Sequence, residues 1–463
     1  MNDLFSNSLD ENVEWGIVGG GIMSFDDDKR KLLQSQDWLQ TLVEQDATSS
    51  KGSIIASMID FLPVDHIEKQ HKELCAALAD PAIKIVSLTI TEGGYFLSDG
   101  KFDANAPEIK HDIEHPTTPH TIFGMMIQAI IKRREAGVLP FTIMSCDNIP
   151  ENGHVAKEVV VGLAGQMHGP EMAQWIADNV SFPNSMVDRI TPGPTAATKA
   201  FVKDSYGFED QAPIFCEPFR QWVLEDNFKS GRPAWETLEN VTIVKDVTPF
   251  ENMKLRILNG GHASLCYPSA LLGVAHVHEA MEHSTIGPFL DALERVEIIP
   301  TVPPVPNTDL TKYWECISHR FANPVLCDTI GRNCYDGASR QPKFIVPTAR
   351  DALRAGASVD GLALVSAMWC RYCLGTMEDG TVIPPNDPQW DRLQAKAREA
   401  QTQPSVWLSM KDVYGEVGES PVFQEAFARA VQSIQKEGVE GAMKSYIAKF
   451  APQSEEQPMA MVA

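Results

Sequence analysis

The strongest constraint on this chain is the order of hydrophobic patterns in its first half. IKIVSLTIT (residues 83–91) is almost continuously apolar and β-branched, as a strand covered on both faces must be. TIFGMMIQAIIKRREAG (121–137) opens on a Thr that can cap a helix and closes on basic residues and a Gly. PFTIMSCDN (140–148) is a second buried strand that ends in polar residues. EVVVGLAGQM and PEMAQWIADNV then read as helices. Strand, helix and strand at this spacing predict a parallel α/β sheet. In such a sheet the functional site lies beyond the carboxyl ends of the strands, here TEGGY (91–95) and SCDN (145–148).

Beyond about residue 245 the pattern turns helical. ENMKLRILNGGHASLCYPSALLGVAHVHEAM is long and apolar at helical spacing, and the Pro-rich IIPTVPPVPNTDL (298–310) reads as a connector. LTKYWECISHRFA, KFIVPTARDALRAG, VDGLALVSAMWCRYCLG and SPVFQEAFARAVQSIQKEG predict further helices. An α/β domain is therefore expected over 1–243, a mostly α-helical one over 244–450, and a frayed tail over 451–463.

Composition excludes several classes. Sixty-two acidic against 39 basic residues give a net charge of −23, and no basic run of five occurs, which argues against nucleic-acid or acidic-membrane partners. No stretch approaches the roughly 18 apolar residues of a membrane span. The N-terminal residues are polar and acidic, unlike a signal or mitochondrial peptide. The nine scattered cysteines suit reduced thiols in a cytoplasmic protein. Cys370 and Cys373 form the one C-x-x-C, but no second pair accompanies it, so buried small hydrophobes are expected there.

MKLRILNGGHASL carries the most chemistry. On an α-helix at about 100° per residue, Asn259 lies about 140° and His262 about 80° around from Lys254, so all three fit one face. Gly260 and Gly261 cost roughly 2 kcal/mol relative to alanines, which suggests that something approaches the backbone closely. The pattern alone also fits, and more readily, a capped surface Lys beside a satisfied core His.

Lys-x-x-x-x-Asn-x-x-His in this context resembles the signature of the polyol-specific long-chain dehydrogenases, the mannitol dehydrogenase family. IVSLTITEGGY, FTIMSCDNIPENG, FPNSMVDRITP, CEPFRQWVLEDNFKSGRPAWE and DGASRQPKF match that family in the same order. The resemblance implies a Rossmann-like N-terminal domain and a metal-independent exchange of D-mannitol and D-fructose with NAD. It implies Lys254 as general base, which requires a pKa far below the usual value near 10.4. Asn259 and Asn148 would donate to the developing alkoxide, and His262 would orient the substrate oxygen. Asp188 and Arg332 would bind the polyol, and Glu92 would pass protons to solvent. No H-E-x-x-H or other zinc constellation is present. The implied partners are a small polyol or ketose only, with the chain a monomer.

One position departs from the family. Arg340 stands where mannitol dehydrogenases carry Lys, and a planar fork does not replace a point charge. Fructuronate reductases and arabinitol dehydrogenases, which share most of these motifs, are the alternatives.

The triple glycine of EWGIVGGGIMSFDDD suggests a phosphate-binding turn, but the resemblance matches this segment to the second strand of the cofactor domain. Asp26 would then accept from the adenosine ribose, favouring NAD over NADP. On that matching, MNDLFSNSL ends the first helix, and a first strand with its glycine-rich turn is expected ahead of it. The sequence is thus expected to be truncated, with weak NAD binding, reduced stability and, as a further alternative, an inactive remnant.

Overall fold

A computed structural model describes residues 14–98 and 100–450. MNDLFSNSL and the 451–463 tail lie outside the described residues. The chain forms two compact units, divided between Thr248 and Pro249.

Among the described residues the first unit contains twelve strands. They are β1 (Ile17–Gly19), β2 (Gln40–Gln45), β3 (Ser50–Ile55), β4 (Met58–Phe61), β5 (Ile85–Leu88), β6 (Leu97–Ser98), β7 (Lys101–Phe102), β8 (Thr142–Ser145), β9 (Ser185–Asp188), β10 (Ile214–Cys216), β11 (Gln221–Glu225) and β12 (Val241–Val244). β5 and β8 run parallel, with Ile85 opposite Thr142 and Leu88 opposite Ser145. β1 and β4 form a second parallel pair. β2 is flanked by parallel β10 and antiparallel β3. β11 lies between parallel β12 and antiparallel β9. This is the α/β domain that the alternation predicts, of the Rossmann type that the family resemblance implies.

The crossover from β5 to β8 shows how the sequence builds this layer. Its helices are Pro107–Glu114 and Ile122–Glu135. The second buries Phe123, Met126, Ile127 and Ile130 against Ile143 of β8 and Val159, Val160 and Leu163 of the helix Asn152–His168. A helix so covered needs its first N–H groups satisfied internally. Thr121 Oγ1 accepts from Gly124 N–H (3.0 Å) and donates to the Asp112 carboxylate (2.5 Å). Asp112, fully buried, also accepts from the N–H groups of His120 (2.6 Å) and Thr121 (3.1 Å). One carboxylate at the end of the first helix thus fixes the start of the second.

The second unit is mostly helical. Its middle is the helix Asp360–Tyr372, buried along nearly its whole length. Glu297 caps this helix, accepting from the N–H groups of Gly361 (2.9 Å) and Leu362 (3.0 Å) and from the Ser358 hydroxyl (2.7 Å). The long C-terminal helix Pro421–Phe450 breaks at Gly438 (φ 72°), where Val439 N–H donates to Glu378 (2.7 Å) instead of to a helix carbonyl. Cys370 and Cys373 are both buried in apolar surroundings, which push their thiols far above the ordinary range. Among the described residues no helix is long and apolar enough to cross a membrane.

Replacing Thr121 by Val keeps the volume but removes the cap and one donor to buried Asp112. The expected loss is about 1–3 kcal/mol of stability. Urea unfolding followed by circular dichroism reads it as a lower midpoint at unchanged slope.

Candidate active site

The carboxyl ends of β5 and β8 both run into polar turns. The single turn of 3-10 helix Glu92–Tyr95 follows β5, and Cys146, Asp147 and Asn148 follow β8. Cys146 N–H donates to Leu88 O (2.9 Å), which carries the pairing one residue beyond the strands. Glu92 and Asn148 are exposed. No heavy atom lies within 4 Å of where a Cβ would stand on Gly93, so this backbone is open to close approach. Asp188 closes β9, opposite Gln221, and is buried.

Asp26 stands differently from the expectation. It does not end a strand: β1 stops at Gly19, and Asp26 occupies the first turn of the helix Ser24–Gln34. Its Oδ2 accepts from the N–H groups of Ile22 (3.0 Å) and Met23 (2.9 Å), donors that a helix start leaves unsatisfied. The glycines have packing reasons. A Cβ on Gly19 would stand 2.4 Å from the Phe61 ring, and one on Gly21 would stand 2.4 Å from the Asp26 carboxylate.

In the second unit, Lys254–Asn259 is a single π-helical segment between the α-helices Thr248–Met253 and Gly260–Leu271. The α-helical angles of the sequence reading therefore do not apply. A π-turn closes hydrogen bonds five residues apart, which brings Lys254 and Asn259 one turn apart along the same face. Lys254 is buried, at 8% exposure, so the surface-lysine alternative does not hold. Periodicity cannot reveal a π-segment, because its residues are also good α-helix residues.

The second glycine has an internal cause as well. A Cβ on Gly261 would come within 3.0 Å of Glu294 Oε1 and 3.2 Å of the Phe321 ring. Glu294 is fully buried, and neither of its oxygens has a hydrogen-bond partner among the described residues. Burial, with Asp291 adding to it, pushes this carboxyl well above the usual range and so favours its neutral form.

His262 is buried and stacks on Phe321, with ring centroids 4.1 Å apart. Its Nε2 stands 3.6 Å from Asp328 Oδ2, too far for a hydrogen bond. Asp328 Oδ1 accepts from Arg332 Nε (3.0 Å) and Nη2 (2.7 Å) and from Asn333 Nδ2 (3.2 Å). Burial pulls the His262 pKa down to about 3; Asp328 opposes this, and Arg340, Arg332 and Arg320 add to it. The Arg340 guanidinium lies over the Phe344 ring (5.4 Å), and its buried Nε has no hydrogen-bond partner among the described residues. The second unit thus gathers Asp328, Arg332 and Arg340 around His262. Asp328, Arg320 and Glu294 escaped the sequence reading. Only Asp328 left a signal there, as the acid four residues before Arg332.

Among the described residues no group of three or more His, Cys, Asp or Glu side chains is arranged to hold a metal ion.

Comparison with known proteins gives a consistent picture. Residues 5–237 match the family model for the mannitol dehydrogenase Rossmann domain, and residues 246–435 match that for the mannitol dehydrogenase C-terminal domain. The chain is 46% identical over 449 residues to mannitol 2-dehydrogenase of Cereibacter sphaeroides, covering 97% of this chain and 92% of that protein. It is 36% identical over 443 residues to mannitol 2-dehydrogenase of Aspergillus clavatus, covering 94% and 87%. Among solved structures it is similar to Pseudomonas fluorescens mannitol 2-dehydrogenase in ternary complex with NAD and D-mannitol. There the TM-score is 0.83 and the identity 39%, over 96% of this chain and 91% of that one. It is also similar to a D-sorbitol dehydrogenase in substrate-free form, with TM-score 0.85 and 32% identity, over 95% and 92%.

The depressed pKa of His262 has a measurable sign. The folded chain keeps the ring neutral, whereas the unfolded chain takes up a proton below about pH 6.5. The stability from the neutral ring is therefore fully present above about pH 6.5 and is lost as pH falls toward 3. In urea unfolding between about pH 6.5 and 4.5, His262→Gln is expected to lose less stability than wild type. Parallel curves would contradict this.

Proposed function

Because the chain belongs to the mannitol dehydrogenase family, matching its models over both domains, we propose that it is an NAD-dependent oxidoreductase that interconverts D-mannitol and D-fructose. The observation that carries the chemistry is Lys254, buried at the head of the π-turn that also bears Asn259, with His262 on the helix that follows.

The first unit suits a dinucleotide. The carboxyl ends of parallel β5 and β8 lie side by side, the backbone at Gly93 is open, and Asn148 and Glu92 are exposed there. NAD, when bound, supplies the hydride acceptor. Asp26 is the proposed acceptor for the adenosine ribose; a carboxylate has acceptor capacity beyond the oxygen that holds Ile22 and Met23.

Lys254 takes the proton of the reacting hydroxyl. Asn259 and Asn148 donate to the oxygen as it gains negative charge, a role in which removal of one donor typically costs about 100- to 1000-fold in rate. His262, kept neutral by burial, carries one N–H, which donates to the substrate oxygen. Asp188 accepts from other polyol hydroxyls, and Arg332 and Arg340 donate to them. Glu92 carries the released proton outward. This scheme assigns the proton to Lys254 and uses no metal.

Arg340 supports a second reading. Its buried Nε, without a hydrogen-bond partner among the described residues, suits a forked contact with a carboxylate, as in a sugar-acid reductase. The D-sorbitol dehydrogenase likeness keeps other hexitols in the panel.

Lys254→Ala is expected to lower kcat for D-mannitol oxidation by at least about 100-fold with NAD affinity unchanged, read by steady-state kinetics and calorimetry. Wild-type-like kcat would remove Lys254 from the mechanism. In a reduction panel, D-fructose is expected to be preferred over keto sugar acids by both wild type and Arg340→Lys. A wild-type preference for the acid that Arg340→Lys reverses would establish the sugar-acid reading instead.

A further inference from the structure

We propose that Asp147 is a positioning residue that clamps the Glu92 turn onto the strand end bearing Asn148. The inference rests on the reading of Glu92 as the outlet for the proton and of Asn148 as an oxyanion donor.

The turn after β5 does not take this shape unaided. Thr91 has φ 62° and ψ 168°, and Phe96, at the other end of the turn, has φ 51°. A β-branched residue at positive φ is a genuine outlier, which surrounding contacts must hold. The contacts come from Asp147. Its Oδ1 accepts from Thr91 N–H (2.9 Å), and its Oδ2 accepts from Ile90 N–H (3.1 Å) and from the Tyr95 hydroxyl (2.7 Å). One carboxylate thus holds the entry to the turn and its last residue.

Asp147 is itself immobilised. Its carbonyl accepts from Asn152 Nδ2 (3.0 Å), and its N–H donates to Ser145 Oγ (3.3 Å). The Tyr95 hydroxyl, 2.6 Å from Ser145 Oγ, has one proton, which goes to Asp147. Ser145 must therefore donate to the Tyr95 oxygen. Burial pushes the Tyr95 phenol well above its ordinary value, so it remains a donor at every working pH. Its ring packs on Phe123 (centroids 5.7 Å) and anchors the far side.

Glu92 follows Thr91 directly, and Asn148 follows Asp147. A single carboxylate therefore sets the backbone of both residues. Groups that move protons or meet a developing charge work only when held within about 0.5 Å of the productive place. Asp147 touches neither substrate nor cofactor in this scheme; it acts through its neighbours.

The test compares wild type, Asp147→Asn, Tyr95→Phe and Glu92→Gln as full chains, with Thr195→Ala as control. Thr195 caps the helix Ala196–Tyr206 on the surface, and its loss lowers stability without touching this turn. Asp147→Asn places an amide where an acceptor oxygen met N–H donors. The expected result is amide hydrogen exchange over residues 90–96 at least about tenfold faster. With it, kcat for D-mannitol oxidation falls about 10- to 100-fold, while KM and NAD affinity change little. The solvent isotope effect on kcat and its pH profile change in the direction seen for Glu92→Gln. Tyr95→Phe moves the same readouts less and guards against a failure of Asp147→Asn to fold. The control moves only stability. Unchanged exchange, or faster exchange with wild-type kcat and pH profile, overturns the role of Asp147. If Asp147→Asn is silent while Glu92→Gln is altered, the clamp alone fails. If Glu92→Gln behaves as wild type, the Glu92 reading fails and the clamp's purpose falls with it.

Discussion

Placing a lysine, an arginine and a histidine inside a protein within about two turns of helix is costly, and much of the second unit is arranged around that constraint. Lys254, Arg256 and His262 are all buried on the continuous run from Lys254 to Leu271. Buried charges persist only when paired and hydrogen-bonded. Arg256 donates to Thr301 O and pairs with Asp351. Burial tends to raise the Asp351 carboxyl, but its bonds to Arg256 and Arg350 hold it below its ordinary value. His262 avoids the cost by remaining neutral, and burial favours the neutral form of Glu294 behind Gly261. Arg332 and Arg340, nearer solvent, supply cationic surroundings that reinforce the neutral ring. The π-segment belongs to the same arrangement, since one wide turn aligns Lys254 with Asn259.

The first unit solves a different problem with a recurring device. Its strands are short, so the loops at their ends need fixing from outside the ladder. Carboxylates do this by accepting from backbone N–H groups. Asp112 holds the start of the crossover helix, and Asp147 holds the turn after β5. Glu225 holds Asn184 through its N–H (2.9 Å) and Nδ2 (3.1 Å), and Glu217 accepts from Ile190 N–H (2.6 Å). Asp210 accepts from Thr41 N–H (2.5 Å) at the edge of β2. Part of the acidic excess of the sequence therefore serves the interior and not only the solvated surface.

The sequence reading was most secure where a single periodicity governs a whole element. The β5–helix–β8 crossover lies where the pattern put it, down to the Thr121 cap and a Gly137 with φ 69° after the basic last turn. It was least secure where one element changes type without changing composition. Lys254–Asn259 has no residue that forbids an α-helix, so its π-geometry arises from packing. Asp26 shows a related limit: an acid near a strand end serves equally as ribose acceptor or helix cap, and the backbone N–H groups of Ile22 and Met23 engage it as a cap. Asp147 lay within the SCDN motif, but as the neighbour of Asn148 it carried no signal of its own. Its partners Ile90, Thr91 and Tyr95 are more than fifty residues earlier.

By itself the sequence determined the order of the two domains and the crossover that sets strand ends side by side, and its motifs carried the resemblance that named the candidate site residues. Those follow from local periodicity and from motifs a few residues long. Only the tertiary structure decided that Lys254 is buried, that His262 is neutral, that Gly261 yields to Glu294 and Phe321, and that one carboxylate holds two loops. Each of these depends on which distant groups share a low-dielectric interior, and solvation and hydrogen bonding there are properties of the packed neighbourhood rather than of any segment of chain.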